Sequence, residues 1–140
     1  FPRPMLHTKD YDFSFSGLKT AVLYHVQGLG ENISVHDKQE IAHEFQHAVA
    51  DVLIKKTSKA IDEFGIQTLI IGGGVAASNF IVDSFQENLN KNFPETRLLA
   101  PTKGLTGDNA LMIALAGYFK IQKNPDAVYD DIQADGNLSL

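Results

Sequence analysis

One stretch of the chain restricts its fold more than any other. Residues 66–71, with the sequence IQTLII, are mostly β-branched or apolar, as expected of a buried strand. Gly72, Gly73 and Gly74 follow the strand directly, and a helical spacing of apolar residues begins a few positions later. A strand that passes through a glycine turn into a helix is typical of layered α/β domains, so we expect an α/β fold.

Helices are predicted on the N-terminal side of this strand. Ser16 is the expected N-cap of a first helix, which Gly30 helps to end. A long second helix is expected to begin with a capping box formed by Asp37 and Glu40. Gly65 suits the C′ position of that helix because glycine adopts positive φ without strain.

Further elements are predicted on its C-terminal side. A helix with Phe80, Ile81, Phe85 and Leu89 on its inner face precedes a second strand at residues 97–100. A last helix at residues 108–123 is expected to turn four apolar side chains inward, namely Leu111, Met112, Leu115 and Phe119. Near the N-terminus, the alternating residues 12–15 predict a short strand or an extended arm.

The length of 140 residues suits a single domain with a hydrophobic core. We expect that domain to cover residues 1–123, with residues 1–11 as an irregular lead-in that contains two prolines. Residues 124–140 carry four aspartates and are predicted to be a peripheral acidic tail. Because the chain begins with Phe1, we expect a processed or excised piece, and the lack of a signal or membrane segment predicts the cytoplasm.

The composition limits the function classes. The absence of cysteine excludes disulfides and thiolate zinc sites. The net charge is −5, whereas a domain that binds an RNA backbone alone normally presents a basic face. Lys55, Lys56 and Lys59 form the one basic cluster, so most of the contact to any RNA partner should come from elsewhere.

The glycine turn is the first candidate site. Glycines after a strand let a ligand approach the backbone closely, and the N-terminus of the following helix offers free N–H groups to a phosphate. The sequence is neither a P-loop nor a dinucleotide fingerprint, since both need other residues at fixed spacing. A tight turn without any ligand is the alternative interpretation.

Asp108 and Asn109 at the start of the last helix form the second candidate. Asp108 is either the N-cap of that helix or a carboxylate that binds a metal ion or a polar substrate group.

The third candidate is His43-Glu44-Phe45-Gln46-His47, which matches the H-E-x-x-H motif of zinc metalloproteases. Two histidines four residues apart share one helix face, and the Glu44 carboxylate could act as a general base. The motif requires a third ligand, however, and none stands at a recognisable spacing. Both histidines also flank the apolar stripe of the helix, where partly solvated surface histidines are common.

The chain resembles a known family over nearly its whole length. Residues 12–20, DFSFSGLKT, resemble a hallmark of the universal threonylcarbamoyl transferases, formerly called O-sialoglycoprotein endopeptidases. Residues 1–5 resemble the segment before that hallmark in bacterial members, and residues 45–53 resemble their long helix. Residues 73–77 resemble the glycine motif, and residues 108–114 resemble the final motif.

The resemblance implies a fold and a reaction. The fold would be the second lobe of an ATPase fold shared with actin, sugar kinases and Hsp70, without the first lobe. The reaction would transfer a threonylcarbamoyl group from threonylcarbamoyl-AMP to the exocyclic amine of the tRNA adenosine that follows the anticodon. Gly73, Gly74, Ser78 and Asn79 would bind the nucleotide, although family members usually carry asparagine at the place of Ser78.

The resemblance also implies a divalent metal ion, iron or zinc, as Lewis acid. Asp108 would be its ligand in this chain, together with two histidines of the absent lobe, so no catalytic residue is assigned here and the isolated chain is expected to be inactive. The implied partners are tRNA, threonylcarbamoyl-AMP, an inactive paralogue and a P-loop ATPase, with no membrane partner. The alternatives are a zinc metalloprotease that uses His43, Glu44 and His47, and a non-catalytic interaction lobe.

Overall fold

The computed structural model describes residues 1–102, 104–107 and 109–126, and it confirms the α/β class. The chain divides into two compact units, residues 1–106 and residues 107–140. The elements in chain order are α1 (Ser16–Gly28), α2 (Val35–Phe64), β1 (Thr68–Ile70), a 3₁₀ turn (Gly74–Ala77), α3 (Asn79–Asn92), β2 (Arg97–Leu99) and α4 (Ala110–Lys123).

The first unit is built around a small βαβ arrangement. Strands β1 and β2 pair in parallel, with Leu69 opposite Leu98, and α3 connects them. Helix α3 packs against both α2 and β2. The buried cluster of this layer consists of Ala50, Ile81 and Phe85, with partly buried apolar side chains around it. One face of the sheet therefore lies on a helical layer, because Leu69 and Leu98 belong to that surrounding set.

Helix α2 begins one turn earlier than the sequence predicts. Its capping box joins Ser34 to Asp37, not Asp37 to Glu40. The Ser34 hydroxyl accepts the Asp37 backbone N–H at 3.1 Å, while the Asp37 carboxylate accepts the Ser34 backbone N–H at 3.3 Å. The C-terminal end is as predicted, since Gly65 adopts a left-handed conformation with φ 60°.

The N-cap predicted for α1 is wrong. Phe15 holds the cap position without a side-chain cap, and Ser16 is already the first helical residue. The carbonyl of Ser16 accepts the Thr20 hydroxyl at 3.0 Å. Residues 12–15 form no strand, so the extended-arm alternative remains for them. Gly30 follows the helix end with φ 78° and donates its N–H to Gln27, which confirms the predicted stop.

Two predictions of burial are wrong. Strand β1 is not fully buried, because the side chain of Ile70 is 72% exposed on the face away from the helical layer. Helix α4 buries none of its residues, and the four side chains expected to turn inward are all exposed. In the described part of the chain, no helix is both long and apolar enough to cross a membrane. The predicted acidic tail falls mainly on residues 127–140, which lie outside the described residues.

The N-terminal lead-in is fastened along α2 by charged groups. Arg3 Nε donates to Asp51 Oδ2 at 2.9 Å. The Lys56 side chain is only 2% exposed, and its Nζ donates to Asp10 Oδ1 at 2.6 Å and to the Asp10 carbonyl at 3.0 Å. The Thr8 hydroxyl oxygen accepts a further hydrogen bond from the same ammonium group at 2.5 Å. The buried cation is therefore surrounded by oxygen acceptors, as a buried charge requires.

The carboxylate of Asp10 responds to this arrangement. Hydrogen bonding to Lys56, followed by that from the Thr8 hydroxyl, lowers the pKa of Asp10 from 3.8 to about 2. A lowered folded-state pKa means that the interaction stabilises the fold fully above pH 4 and that this stabilisation is lost as the pH falls towards 2.

We predict that Asp10→Ala lowers the melting temperature at pH 7, because it leaves the Lys56 ammonium buried without a counter-charge. Adding Lys56→Met to Asp10→Ala should recover part of the loss, since the unpaired charge is then removed. Thermal unfolding followed by circular dichroism measures both changes. The loss of stability of the native sequence between pH 4 and pH 2 should also be smaller in Asp10→Ala. Equal melting temperatures for Asp10→Ala and the native sequence would contradict the prediction.

Candidate functional site

A glycine turn lies at the carboxyl end of β1. The last ladder hydrogen bond runs from the Ile71 N–H to the Leu99 carbonyl at 2.9 Å, after which Gly72, Gly73 and Gly74 are exposed. Gly73 has φ 77° and ψ −178°, a combination that only glycine adopts without strain. Apart from the adjacent residues, no atom lies within 4 Å of a Cβ built on any of the three glycines. Their backbone is therefore open to a ligand.

The start of α3 lies a few residues after the glycines, as the sequence predicts. A 3₁₀ turn separates the glycines from the helix. The Ala76 N–H stabilises this turn by donating a hydrogen bond to the Gly73 carbonyl at 3.1 Å. Ala76 is buried and anchors this turn to the unit. Helix α3 then begins at Asn79, with Ser78 as N-cap. The positive end of the helix dipole thus lies at Ser78 and Asn79, not at the glycines themselves.

The Ser78 side chain caps the N-terminus of α3. Its hydroxyl accepts the Ile81 N–H at 3.4 Å, and its carbonyl accepts the Val82 N–H at 3.2 Å. Asn79 and Phe80 are the first two residues of α3, and the first N–H groups of an α-helix have no acceptor within the helix. Asn79 is also exposed. The predicted residues Gly73, Gly74, Ser78 and Asn79 are therefore brought together in one continuous turn.

Sequence reasoning missed the neighbouring loop. Because β1 and β2 are parallel, their carboxyl ends lie at the same edge of the sheet. The segment 100–102 after β2 therefore accompanies the glycine turn at that edge, where ligands of open α/β sheets usually bind. Thr102 is exposed there, and its carbonyl accepts the Leu105 N–H at 3.0 Å. The strand pairing was the signal that the sequence alone did not supply.

Asp108, the predicted metal ligand, lies outside the described residues. Asn109 is the N-cap of α4 and fills the role considered for Asp108. Its Oδ1 accepts the Met112 N–H at 2.9 Å, while its Nδ2 donates to the Gly107 carbonyl at 2.9 Å. Both ends of the Asn109 amide are thus occupied. The side chain of the Asp108-Asn109 pair that remains as a possible metal ligand is therefore the carboxylate of Asp108.

The H-E-x-x-H segment is only partly exposed on α2, since His43, Glu44 and Phe45 are exposed whereas Gln46 and His47 are half-buried. The two Nε2 atoms of His43 and His47 are 3.1 Å apart. Glu44 Oε1 is 3.6 Å from His43 Nδ1, the nitrogen on the other side of that ring. Among the described residues, no histidine or carboxylate joins the pair to complete a cluster of three metal-ligating atoms. The segment therefore supplies two of the three ligands that a catalytic zinc site needs.

A separate group of possible metal ligands lies in the first turn of α2. Ligand atoms of His36, Asp37 and Glu40 fall within 4.8 Å of one another. The group lines a cavity of about 780 Å³ together with His25 from α1. However, the Ser34 hydroxyl, which donates to Asp37 Oδ2 at 2.7 Å, lowers the pKa of Asp37 and keeps its carboxylate in the helix cap. The positive end of the helix dipole also opposes a cation at this position.

The basic cluster of α2 is not a free phosphate-binding patch. Lys56 is buried against the lead-in, and Lys59 Nζ lies 3.6 Å from Glu63 Oε1 and 4.5 Å from the centroid of the Tyr11 ring. Lys59 also donates to the carbonyl of Lys9. Lys55 is the exposed member of the three. Two of the three lysines therefore hold the N-terminal segment in place.

Comparisons with known proteins agree with this order of motifs. The family model described as tRNA N6-adenosine threonylcarbamoyltransferase matches residues 1–115. A curated relative of that name from Thermosipho africanus is 42% identical over 141 residues, which cover 100% of this chain and 41% of the relative. The relative from Lacticaseibacillus casei is 40% identical over 143 residues, again covering 100% of this chain and 41% of the relative.

A relative of the same name from Herminiimonas arsenicoxydans is 42% identical over 130 residues, which cover 93% of this chain and 37% of the relative. The chain thus spans well under half of the length of these curated relatives, and the similarity includes the glycine turn. It belongs to the tRNA N6-adenosine threonylcarbamoyltransferase family.

Proposed function

We propose that the chain is the C-terminal part of an enzyme that transfers threonylcarbamoyl from threonylcarbamoyl-AMP to the exocyclic amine of the tRNA adenosine after the anticodon. The observation that carries the proposal is the exposed glycine turn at the carboxyl end of β1, within a chain of this family. As the second lobe of an actin-like ATPase fold, the chain would supply the nucleotide side of the site. The first lobe would supply the rest.

The AMP part of the donor would bind along the turn. Gly73 and Gly74 expose backbone that no side chain covers, which allows a nucleotide to approach closely. The N–H groups of Asn79 and Phe80, at the positive end of α3, suit the anionic phosphate. Ser78 already accepts a backbone N–H as the helix cap, so we assign the side-chain contact with the nucleotide to the exposed Asn79.

Asp108 would be the metal ligand of this chain. Asn109 is occupied as a helix cap, so one carboxylate is the whole donor set of the final motif. A single carboxylate does not hold an iron or zinc ion, and the remaining ligands would be histidines of the first lobe. When bound, the ion would act as a Lewis acid on the carbamoyl carbonyl.

Contacts with tRNA would come mainly from the rest of the protein. The net charge is −5, and two of the three clustered lysines hold the lead-in. An exposed Lys55 can contact one phosphate, which is a small part of a typical RNA interface. The inactive paralogue and the P-loop ATPase stay predictions that follow from the family resemblance.

We predict that the 140-residue chain alone does not transfer threonylcarbamoyl to tRNA, whereas a chimera does. In the chimera, this chain replaces the matching segment of the Thermosipho africanus relative. Asp108→Ala in the chimera should lower the transfer rate on the order of 100-fold or more, since several kcal/mol of carbonyl polarisation are lost. Formation of threonylcarbamoyladenosine in tRNA, measured by mass spectrometry, gives the result.

Asp126→Ala is the matched control for that experiment, because it removes another exposed carboxylate near the C-terminal end of α4. Transfer by the isolated chain would show that the site is complete without the first lobe. A folded chimera that binds AMP but does not transfer, or equal rates for the two aspartate variants, would speak against the proposed roles.

A second prediction concerns the glycine turn. Gly73→Ala should lower the free energy of unfolding by about 1–3 kcal/mol, because alanine is strained at the φ and ψ of this position. Gly74→Ala should leave stability nearly unchanged but weaken AMP binding, since its methyl group enters the open space over the turn. Urea unfolding and AMP titration of the chimera separate the two effects.

Gly28→Ala serves as the control, because Gly28 ends α1 without positive φ and an added Cβ meets no atom within 4 Å. It should leave AMP binding unchanged. If Gly74→Ala and Gly28→Ala bind AMP equally well, the glycine turn is a connection without a ligand.

A further inference from the structure

The histidine pair of α2 has a geometry that the proposed transferase function does not use. His43 and His47 lie one helical turn apart, with ring centroids separated by 4.3 Å and Nε2 atoms by 3.1 Å. A short contact of this kind is either a hydrogen bond between two neutral rings or the arrangement that a shared cation produces. The hydrogen bond needs one protonated Nε2 and one Nε2 lone pair, whereas a shared cation needs a lone pair on both Nε2 atoms.

The spacing of the two nitrogens matches metal coordination. Zinc binds imidazole nitrogen at 2.0–2.1 Å, so two such ligands at a tetrahedral angle lie about 3.3 Å apart. The observed distance of 3.1 Å is slightly shorter than this value, and small rotations of the two histidine side chains would change the distance by that amount. The distance between the two nitrogens is therefore compatible with coordination of one ion by both rings.

Neighbouring side chains orient both rings. Glu44 Oε1 lies 3.6 Å from His43 Nδ1, so a small side-chain movement brings the carboxylate within hydrogen-bond distance of Nδ1, on the side of the ring away from Nε2. A carboxylate on the outer nitrogen of a ligating histidine is the usual supporting contact in metal sites. The His47 ring packs edge-on against Phe80, with 4.7 Å between centroids. This contact limits the rotation of the second ligand.

We propose that His43 and His47 form a two-histidine site for a borderline divalent transition-metal ion such as Zn²⁺ or Ni²⁺, with water in the remaining coordination positions. Imidazole ligands select such ions over Mg²⁺ and Ca²⁺, which prefer oxygen. The ligands of this site do not include Asp108, to which the transferase proposal assigns a metal ion. Glu44 acts here as a positioning residue, because it lies beside Nδ1 and not on the Nε2 side where a metal-bound water would be.

The first turn of α2 is the competing location. His36, Asp37 and Glu40 bring their ligand atoms together, but Asp37 is held in the capping box. His36 and Glu40 are 77% and 68% exposed, and Glu40 Oε2 lies 3.7 Å from Nδ1 of the His36 ring. The two locations have separate histidines, so they can be distinguished by substitution.

The test is calorimetric titration of ZnCl₂, NiCl₂ and MgCl₂ into the 140-residue chain without an affinity tag. We expect saturable binding of one Zn²⁺ or Ni²⁺ ion per chain and no binding of Mg²⁺. His43→Ala and His47→Ala should each abolish this binding. Glu44→Gln should weaken it by about 10–100-fold, as other losses of a supporting carboxylate do. His36→Ala is the matched control and should bind as the native sequence does.

A second measurement avoids dependence on the folding of variants. Long-range ¹H–¹⁵N spectra of the native chain report each imidazole nitrogen, and Zn²⁺ should shift the Nε2 signals of His43 and His47 while leaving His25 and His36 unchanged. Absence of saturable zinc binding would overturn the proposal. Binding that survives both His43→Ala and His47→Ala, or that disappears with His36→Ala, would overturn it as well.

Discussion

The packing of α3 on α2 is the contact on which the rest of the first unit depends. Ala50 is small enough for the two helices to approach closely, and Ile81 and Phe85 fill the space beside it. Helix α3 is also the crossover connection that parallel pairing of β1 and β2 requires. The glycine turn is then held at the edge of the sheet, exposed and yet attached to a buried core through Ala76.

The sequence predicted elements well where backbone conformation decided them. Gly30 and Gly65 adopt positive φ, which no other residue type adopts as readily, so the ends of α1 and α2 could be predicted. The start of α2 could not, because Ser34 with Asp37 and Asp37 with Glu40 are both plausible capping boxes. Burial was the least predictable property. An apolar stripe shows which face of a helix or strand can pack against another element, but it does not show whether such an element covers that face.

The same limit explains what could be foreseen of the candidate site. Gly73, Gly74, Ser78 and Asn79 are neighbours along the chain, so their grouping needed no tertiary information. The position of segment 100–102 beside the glycine turn follows from the pairing of β1 with β2, which the sequence does not show. The N-cap of α4 is Asn109 and not the adjacent Asp108, a difference of one residue that the sequence did not decide. The position of Glu44 beside His43 Nδ1 depends on side-chain rotamers, which a five-residue motif does not specify.

Exposed apolar side chains on the sheet support the proposal that this chain forms only the nucleotide-binding part of a larger active site. Parallel sheets normally bury both faces, yet Ile70 on β1 is 72% exposed and Leu99 on β2 is 36% exposed. Surfaces of this kind usually mark interfaces. In our proposal, the contacts with the phosphate need no such interface, since they use the backbone of a single turn. Metal ligation at the proposed ligand Asp108 would require further donors, so binding of the nucleotide and activation of the carbamoyl carbonyl would belong to different parts of the protein.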